Sequence, residues 1–289
     1  MKISIVLSLS FCIILIVVMN KVFAISSISL HVEAPTSDRE AKTLSWIKNL
    51  PSDMLLIDKS SAASTESNMM LSNPALNKMG SKDSANTLDA IVSYINQTFK
   101  LKYSIALVIG SGRVVYSDSE EKTIFMPFTF FEDARAHFTQ AGKGALIESA
   151  VSDAFFHTVL HELGHLLIDM YDMPIVGREE DAVDALATAL MIKSFTNGAS
   201  RVEHIAQLYG HEREQIKNLR KWDFMGEHSL NIQRHYQMMC HVYGSDPEHY
   251  QKLKSRIGFT DDRARICIDE YQQISRGWSQ LLQPYLLNL

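Results

Sequence analysis

Cysteine is nearly absent from this chain of 289 residues. Only Cys12, Cys240 and Cys267 occur, too few for a small disulfide-framed scaffold. Glycine and proline are also sparse, at 13 and 7 residues, which excludes a collagen-like fibre. No basic block is present. Against 28 Lys and Arg stand 33 Asp and Glu, a formal charge of −5, so no nucleic-acid-binding face is expected. Beyond residue 24 no run reaches 18 apolar residues, so the body of the chain is expected to be soluble. No internal repeat is visible. What is present is 46% hydrophobic and 21% charged residues, which excludes a disordered chain and is enough core for one large domain or two small ones.

The first 24 residues read as a secretory signal peptide. Lys2 is a minimal positive start. Ile3 to Met19 is apolar, diluted by Ser4, Ser8 and Ser10, and Val22-Phe23-Ala24 suits a cleavage site. The competing reading is an uncleaved anchor, but Asn20 and Lys21 interrupt the apolar run early for a span. The expected location is periplasmic or secreted, with no membrane contact after cleavage. Cleavage removes Lys2 and Lys21 and no acid, leaving a formal charge of −7. It also removes Cys12. Cys240 and Cys267 are then an even pair in an oxidising compartment, and a disulfide is the economical reading; two buried free thiols are the alternative.

Residues 25–87 differ from the rest. Asp38 to Leu50 has one short amphipathic helix pattern with Leu44, Trp46 and Ile47 apolar, ended by Pro51. Ser52 to Asn86 is rich in Ser, Asn and Met with no sustained period, so 25–87 is expected to be a flexible linker or pro-segment before a domain at 88–289. Leu88, Ile91, Val92, Ile95 and Phe99 fall at helical spacing. Three short strand patterns follow, Ser104 to Ile109, Arg113 to Tyr116 and Lys122 to Met126, expected to make one small sheet. Phe128 to Gln140 is helical again and stops at Gly142. From Ser149 onward the chain reads as helix with short breaks.

The sharpest signal is His161-Glu162-Leu163-Gly164-His165. Residues i and i+4 share one helix face, so two imidazoles at this spacing can converge on one Zn2+. Glu162, about 100° round the helix, can reach a water there without ligating the metal, the position of a general base. Chance occurrence is rare, and the flanks strengthen the reading: Phe155, Val159, Leu163 and Leu166 form one apolar stripe, and Phe156, Leu160 and Leu167 another. Gly164 costs about 1 kcal/mol in mid-helix relative to Ala, which a close backbone approach would explain. The competing reading is a buried helix with hydrogen-bonded histidines. His157 and Asp169 lie on the same strip one turn away on either side; three ligands spread over eight positions of a straight helix cannot share one tetrahedral ion, so both are flank residues.

A third ligand must come from elsewhere. Ile168 and Tyr171 stand where a metzincin has Gly and His, which excludes that class. The next helix pattern carries Glu180 and Asp184 on one face, which suits a glutamate ligand with an aspartate orienting an imidazole. Glu179 is the alternative ligand. Acids in a first helical turn also simply offset the helix dipole. Ser229 is a candidate N-cap for a helix beginning near Leu230, and His228 beside it could donate to an oxyanion or be a plain turn residue. His204, His211, His235, His241 and His249 are read as surface residues. Asp246-Pro247 reads as a cap and first turn.

HELGHLLIDMYDMPIVGREEDAVD at 161–184, with GEHSL, YGSDPEHY and ARICIDEYQQISRGWSQLL further on, resembles a bacterial family of uncharacterised zinc metallopeptidases over about residues 88–285. The resemblance implies an α+β, zincin-like fold: a small sheet over the active-site helix, then a helical C-terminal part. It also implies Glu180 as third ligand with Asp184 behind it. The function expected is an exported zinc-dependent hydrolase acting on a peptide or protein substrate, with Lys122 to Met126 as the strand that aligns it. The rivals are a zinc-stabilised binding module without turnover, against which an intact Glu162 argues, and a hydrolase of a non-peptide amide such as a cell-wall linkage. Oligomeric state is not legible.

Overall fold

The computed structural model describes residues 26–51, 86–210 and 219–287. The signal-peptide reading of 1–24 and the linker reading of 52–85 lie outside those residues. Among those described, no helix is long and apolar enough to cross a membrane.

Strand β1 (Ile28–Val32) and helix α1 (Asp38–Ile47) come first. Ser37 caps α1, accepting from the Glu40 amide. Next are α2 (Thr87–Thr98), β2 (Ile105–Gly110), β3 (Tyr116–Asp118) and β4 (Thr123–Pro127), then α3 (Phe128–Gln140). The sheet order is β1-β2-β4-β3, with β1–β2 and β2–β4 parallel and β3–β4 antiparallel. The sheet holds the first and third strand patterns as β2 and β4, but the second is displaced: β3 begins at Tyr116, the last residue of the expected Arg113 to Tyr116 strand, because pairing with β4 runs from Tyr116↔Phe125 to Asp118↔Thr123.

Two expectations need correction. Strand β4 is internal, so the segment Lys122 to Met126 cannot align a peptide; the exposed edge on that side is β3. Alternation says which face of a strand is buried but not which strand pairs with which. Residues 28–51 are also part of the domain and not a linker. Strand β1 pairs along β2 from Ile28↔Ile105 to Val32↔Ile109. Asn96 of α2 bonds both the amide and the carbonyl of Ile28, and Ile28, Ile47 and Leu50 are in the core. The Thr87 hydroxyl donates to the Pro51 carbonyl, tying the two sides of the undescribed stretch together. A five-residue strand with a single buried face carries little periodic signal, which is why the sequence hides it.

Helix α4 (Ile147–Tyr171) runs under the sheet and is buried along most of its length, including both apolar stripes. Asp172 closes it in the left-handed conformation (φ 50°), the Met173 amide reaching back to the Ile168 carbonyl. The chain then returns as α5 (Glu179–Ser194). A Cβ on Gly164 would meet Val183 at 2.9 Å, so this glycine serves the close packing of α4 on α5. The remaining helices are α6 (Gly198–Gly210), α7 (Asn231–Ser245), α8 (Gln251–Ile257) and α9 (Asp261–Leu282). The fold is thus a mixed α+β domain with a small four-stranded sheet and a helical C-terminal part, as expected.

Helices α7 and α9 are joined by a Cys240–Cys267 disulfide with Cα atoms 5.0 Å apart. Gly244 lies against the Cys267 backbone, where any Cβ would collide. Leu230, not Ser229, precedes the first turn of α7; the Gln233 side chain accepts from its amide. Residues 247–250 form turns before α8, with Asp246 accepting from the His249 amide.

Candidate metal centre

Helices α4 and α5 bring the acidic and imidazole groups together. His161 and His165 lie one turn apart on α4, their rings 5.1 Å apart. Glu180, in the first turn of α5, points a single oxygen between them. Its Oε2 lies 3.1 Å from His161 Nε2, 3.5 Å from His165 Nε2 and 2.9 Å from His228 Nε2. His228 comes from the loop before α7 and is 53% exposed at its side chain.

The Nδ1 atoms are occupied on the other side. His161 Nδ1 donates to Asp184 Oδ1 at 2.8 Å, and His165 Nδ1 donates to Glu179 Oε1 at 2.7 Å. A neutral imidazole donating from Nδ1 has only a bare lone pair at Nε2. Those lone pairs face a carboxylate oxygen, acceptor against acceptor. Glu180 Oε2 is buried and has no contact of hydrogen-bond geometry. A cation or a proton must lie among these atoms to make the cluster stable.

A metal fits this requirement. Two donors each about 2.0–2.1 Å from one tetrahedral ion lie about 3.3 Å apart, close to the spacings around Glu180 Oε2. His161, Glu180 and His228 each offer a ligand atom within 4.8 Å of the others. His165 Nε2 faces the same oxygen at a slightly longer distance.

The titration behaviour of the metal-free cluster follows from the same arrangement. Burial pulls the His161 imidazolium down, but the Asp184 and Glu180 carboxylates outweigh it and raise its pKa to about 9. His165 is raised for the same reason, burial being overcome by Glu180 and Glu179. Burial pushes Glu180 and Asp184 up, yet their imidazole and, for Asp184, Arg234 partners hold both well below the usual carboxylate range. Protons thus occupy what a divalent ion would displace.

Behind the imidazole and carboxylate cluster stands a group that the sequence did not reveal. Arg234 of α7 grips Asp184 with two bonds, Nε to Oδ2 at 2.6 Å and a terminal nitrogen to Oδ1 at 2.7 Å. Its guanidinium also lies 4.2 Å over the Tyr209 ring. Asp184 is therefore held between Arg234 and His161. The Arg234 signal was undetectable because 50 residues separate it from Asp184. Glu179, the alternative third ligand, instead bonds the far nitrogen of His165.

Glu162 is buried on α4 beside His161, and its charge is among those that raise the His161 pKa. His157 is buried away from the centre, its Nε2 3.3 Å from the Thr188 hydroxyl, and burial drives its pKa down to about 3. Asp169 is exposed. Among the histidines read as surface residues, His235 and His241 are buried instead. Both sit on the inner face of α7, packed against helices whose positions the local sequence does not specify. His235 Nδ1 is 2.6 Å from the Ala206 carbonyl, and His204 Nδ1 is 3.0 Å from buried Asp153. His249 is exposed, and His211 lies outside the described residues.

Residues 74–282 match the family described as "DUF4344: Putative metallopeptidase". The chain belongs to this family. No curated protein and no solved structure matches it. The matched span holds the whole α4–α5 site, His228 and both cysteines of the disulfide. Strand β1 and helix α1 lie before it, although they are packed into the same domain. Membership of a metallopeptidase family agrees with a cluster of three imidazoles around one carboxylate oxygen.

Proposed function

We propose that this protein is an exported zinc-dependent peptidase, with zinc held by His161, His165 and Glu180. The observation that carries the reading is the buried, unbonded Glu180 Oε2 facing three imidazole Nε2 atoms, two of them with Nδ1 fixed by a carboxylate. Bound there, zinc would polarise the scissile carbonyl and make a water acidic near neutral pH.

The chain's own residues supply the rest. Asp184 and Glu179 orient the two imidazoles so that each presents Nε2. Glu162 accepts the proton of the attacking water and returns it to the departing amine nitrogen. His228, at the mouth of the site, donates a hydrogen bond to the oxyanion of the tetrahedral intermediate. The leader at 1–24 and the Cys240–Cys267 bond suit a periplasmic or secreted location. The substrate is a peptide or protein.

The test is Glu162→Gln in the full chain. Peptide hydrolysis is expected to vanish while zinc stays at about one per chain, because Glu162 is a base and not a ligand. Hydrolysis at the wild-type rate would sink the mechanism. A second reading has support in the clustering of His161, Glu180 and His228: His228 ligates zinc in place of His165. His228→Ala separates the two. Retained zinc with a lowered kcat marks an oxyanion donor, and lost zinc marks a ligand.

A further inference from the structure

Single exposed apolar residues on a protein surface call for no explanation, but a cluster does. Trp222, Phe224 and Met225 are 62%, 58% and 71% exposed within one four-residue stretch. Trp222 and Phe224 lie on a short 3-10 turn, Lys221–Phe224, and Met225 closes it, just ahead of Gly226-Glu227-His228. The turn is well held. Asp223 accepts from the Arg220 amide at 2.6 Å, the Asp223 amide donates to the Arg220 carbonyl, and the Met225 amide donates to the Trp222 carbonyl. The Arg220 guanidinium lies 5.2 Å from the centre of the Trp222 ring and orients it. The backbone that displays the three side chains is therefore held in place, and Trp222 is held at its ring as well.

Their place in the chain ties them to the candidate centre. Met225 stands three positions before His228, whose Nε2 is 2.9 Å from Glu180 Oε2. A second exposed apolar residue stands close to Glu180 in the chain. Val176 is 100% exposed in the loop between α4 and α5, four residues before Glu180. An extended chain advances at most about 3.6 Å per residue, so Met225 is within about 11 Å of His228 and Val176 within about 14 Å of Glu180. Both loops end on the one Glu180–His228 contact.

We propose that Trp222, Phe224 and Met225 form an apolar lip that selects peptides carrying a large hydrophobic side chain close to the scissile bond. The proposal rests on the peptidase reading and adds a substrate class to it. Aromatic side chains suit the task because they offer a large contact area with few rotatable bonds. A lipid surface is the competing occupant, but Arg220 and Lys221 are balanced by Asp223 and Glu227, so the segment has no net charge to draw it to an anionic membrane.

The experiment uses the full chain, its Trp222→Ala/Phe224→Ala double variant and its Glu162→Gln variant. Each is given a fluorogenic peptide library in which the positions flanking the scissile bond run from Gly and Ala to Leu and Phe. Wild type is expected to favour Leu and Phe, and the double variant to lose at least about tenfold of kcat/KM on those peptides, since apolar pockets discriminate at about that level per methylene. The loss is expected in KM with kcat little changed, and Gly and Ala peptides should be cut as before. Zinc content and melting temperature should match wild type, because both replaced side chains are on the surface. With Glu162→Gln, binding of an uncut Leu or Phe peptide should shift the Trp222 emission to the blue.

Cleavage that ignores the size of the flanking side chain, or an apolar preference that survives in the double variant, would overturn the lip while leaving the peptidase reading intact. Absence of any cleavage by wild type would remove both. Sedimentation of wild type with phosphatidylglycerol vesicles that is lost in the double variant would overturn the proposal in favour of a membrane contact.

Discussion

Replacing Arg234 with leucine removes the cation that holds Asp184 from behind. The Arg234 and Asp184 side chains are 11% and 9% exposed, so solvent screens the pair little. Removing one partner of a buried ion pair costs about 3–5 kcal/mol, because the other charge is left uncompensated. Asp184 keeps its bond to His161 Nδ1 at 2.8 Å, which places the expected loss at the lower end, about 3 kcal/mol. For a domain of this size that is a fall in melting temperature of about 6–12 °C. A second effect follows at the metal. Asp184 orients His161, and disturbing such an outer partner typically weakens metal binding about 10–100-fold. The assay is a thermal melt with and without zinc, paired with a chelator-competition titration. The zinc-dependent part of the stabilisation should shrink along with the affinity. A variant that melts with wild type and holds zinc as tightly would refute the chain of support from Arg234 through Asp184 to His161.

Glu180→Ala is expected to lose zinc almost entirely, whereas Glu179→Ala should weaken it about 10–100-fold, since Glu179 touches only the far nitrogen of His165; metal analysis after dialysis gives the order, and the reverse order would exchange their roles. The metal-free protein should lose stability as pH rises from about 6.5 to about 9, because the His161 pKa is raised between those values and its contribution is complete below the lower one. Zinc displaces the same proton, so affinity should climb over that window while the zinc-loaded protein resists the loss; a metal-free melting temperature that stays flat across it would contradict the arrangement. Reduction of Cys240–Cys267 should lower stability by roughly 3–4 kcal/mol by the chain-entropy argument and leave zinc bound, read as melting temperature and metal content with and without reductant.

The candidate centre was legible where its parts are close in sequence. His161, Glu162 and His165 are readable because helical geometry alone turns an i, i+4 spacing into a shared face. Glu180 and Asp184 follow by the same rule on α5. The cysteine pair was legible from parity, and α3 from its period and the glycine that ends it.

Other features were decided only by how the elements pack. Both Glu179 and Glu180 touch α4 histidines, and which of them meets the Nε2 atoms depends on how α5 packs on α4, where Gly164 lets Val183 approach to within 2.9 Å of its Cβ position. Arg234 reaches Asp184 only because α7 lies across α5, a contact between residues 50 apart that no local spacing encodes. The internal place of β4 and the edge place of β3 follow from strand order, which alternation cannot specify. Strand β1 is part of the sheet because β2 offers it an open edge, so its five residues have a partner that their own sequence does not announce. The α4 and α5 sequences thus determine which atoms can meet along one face. The tertiary structure decides which groups stand behind them, because those contacts arise from burial shared between distant segments.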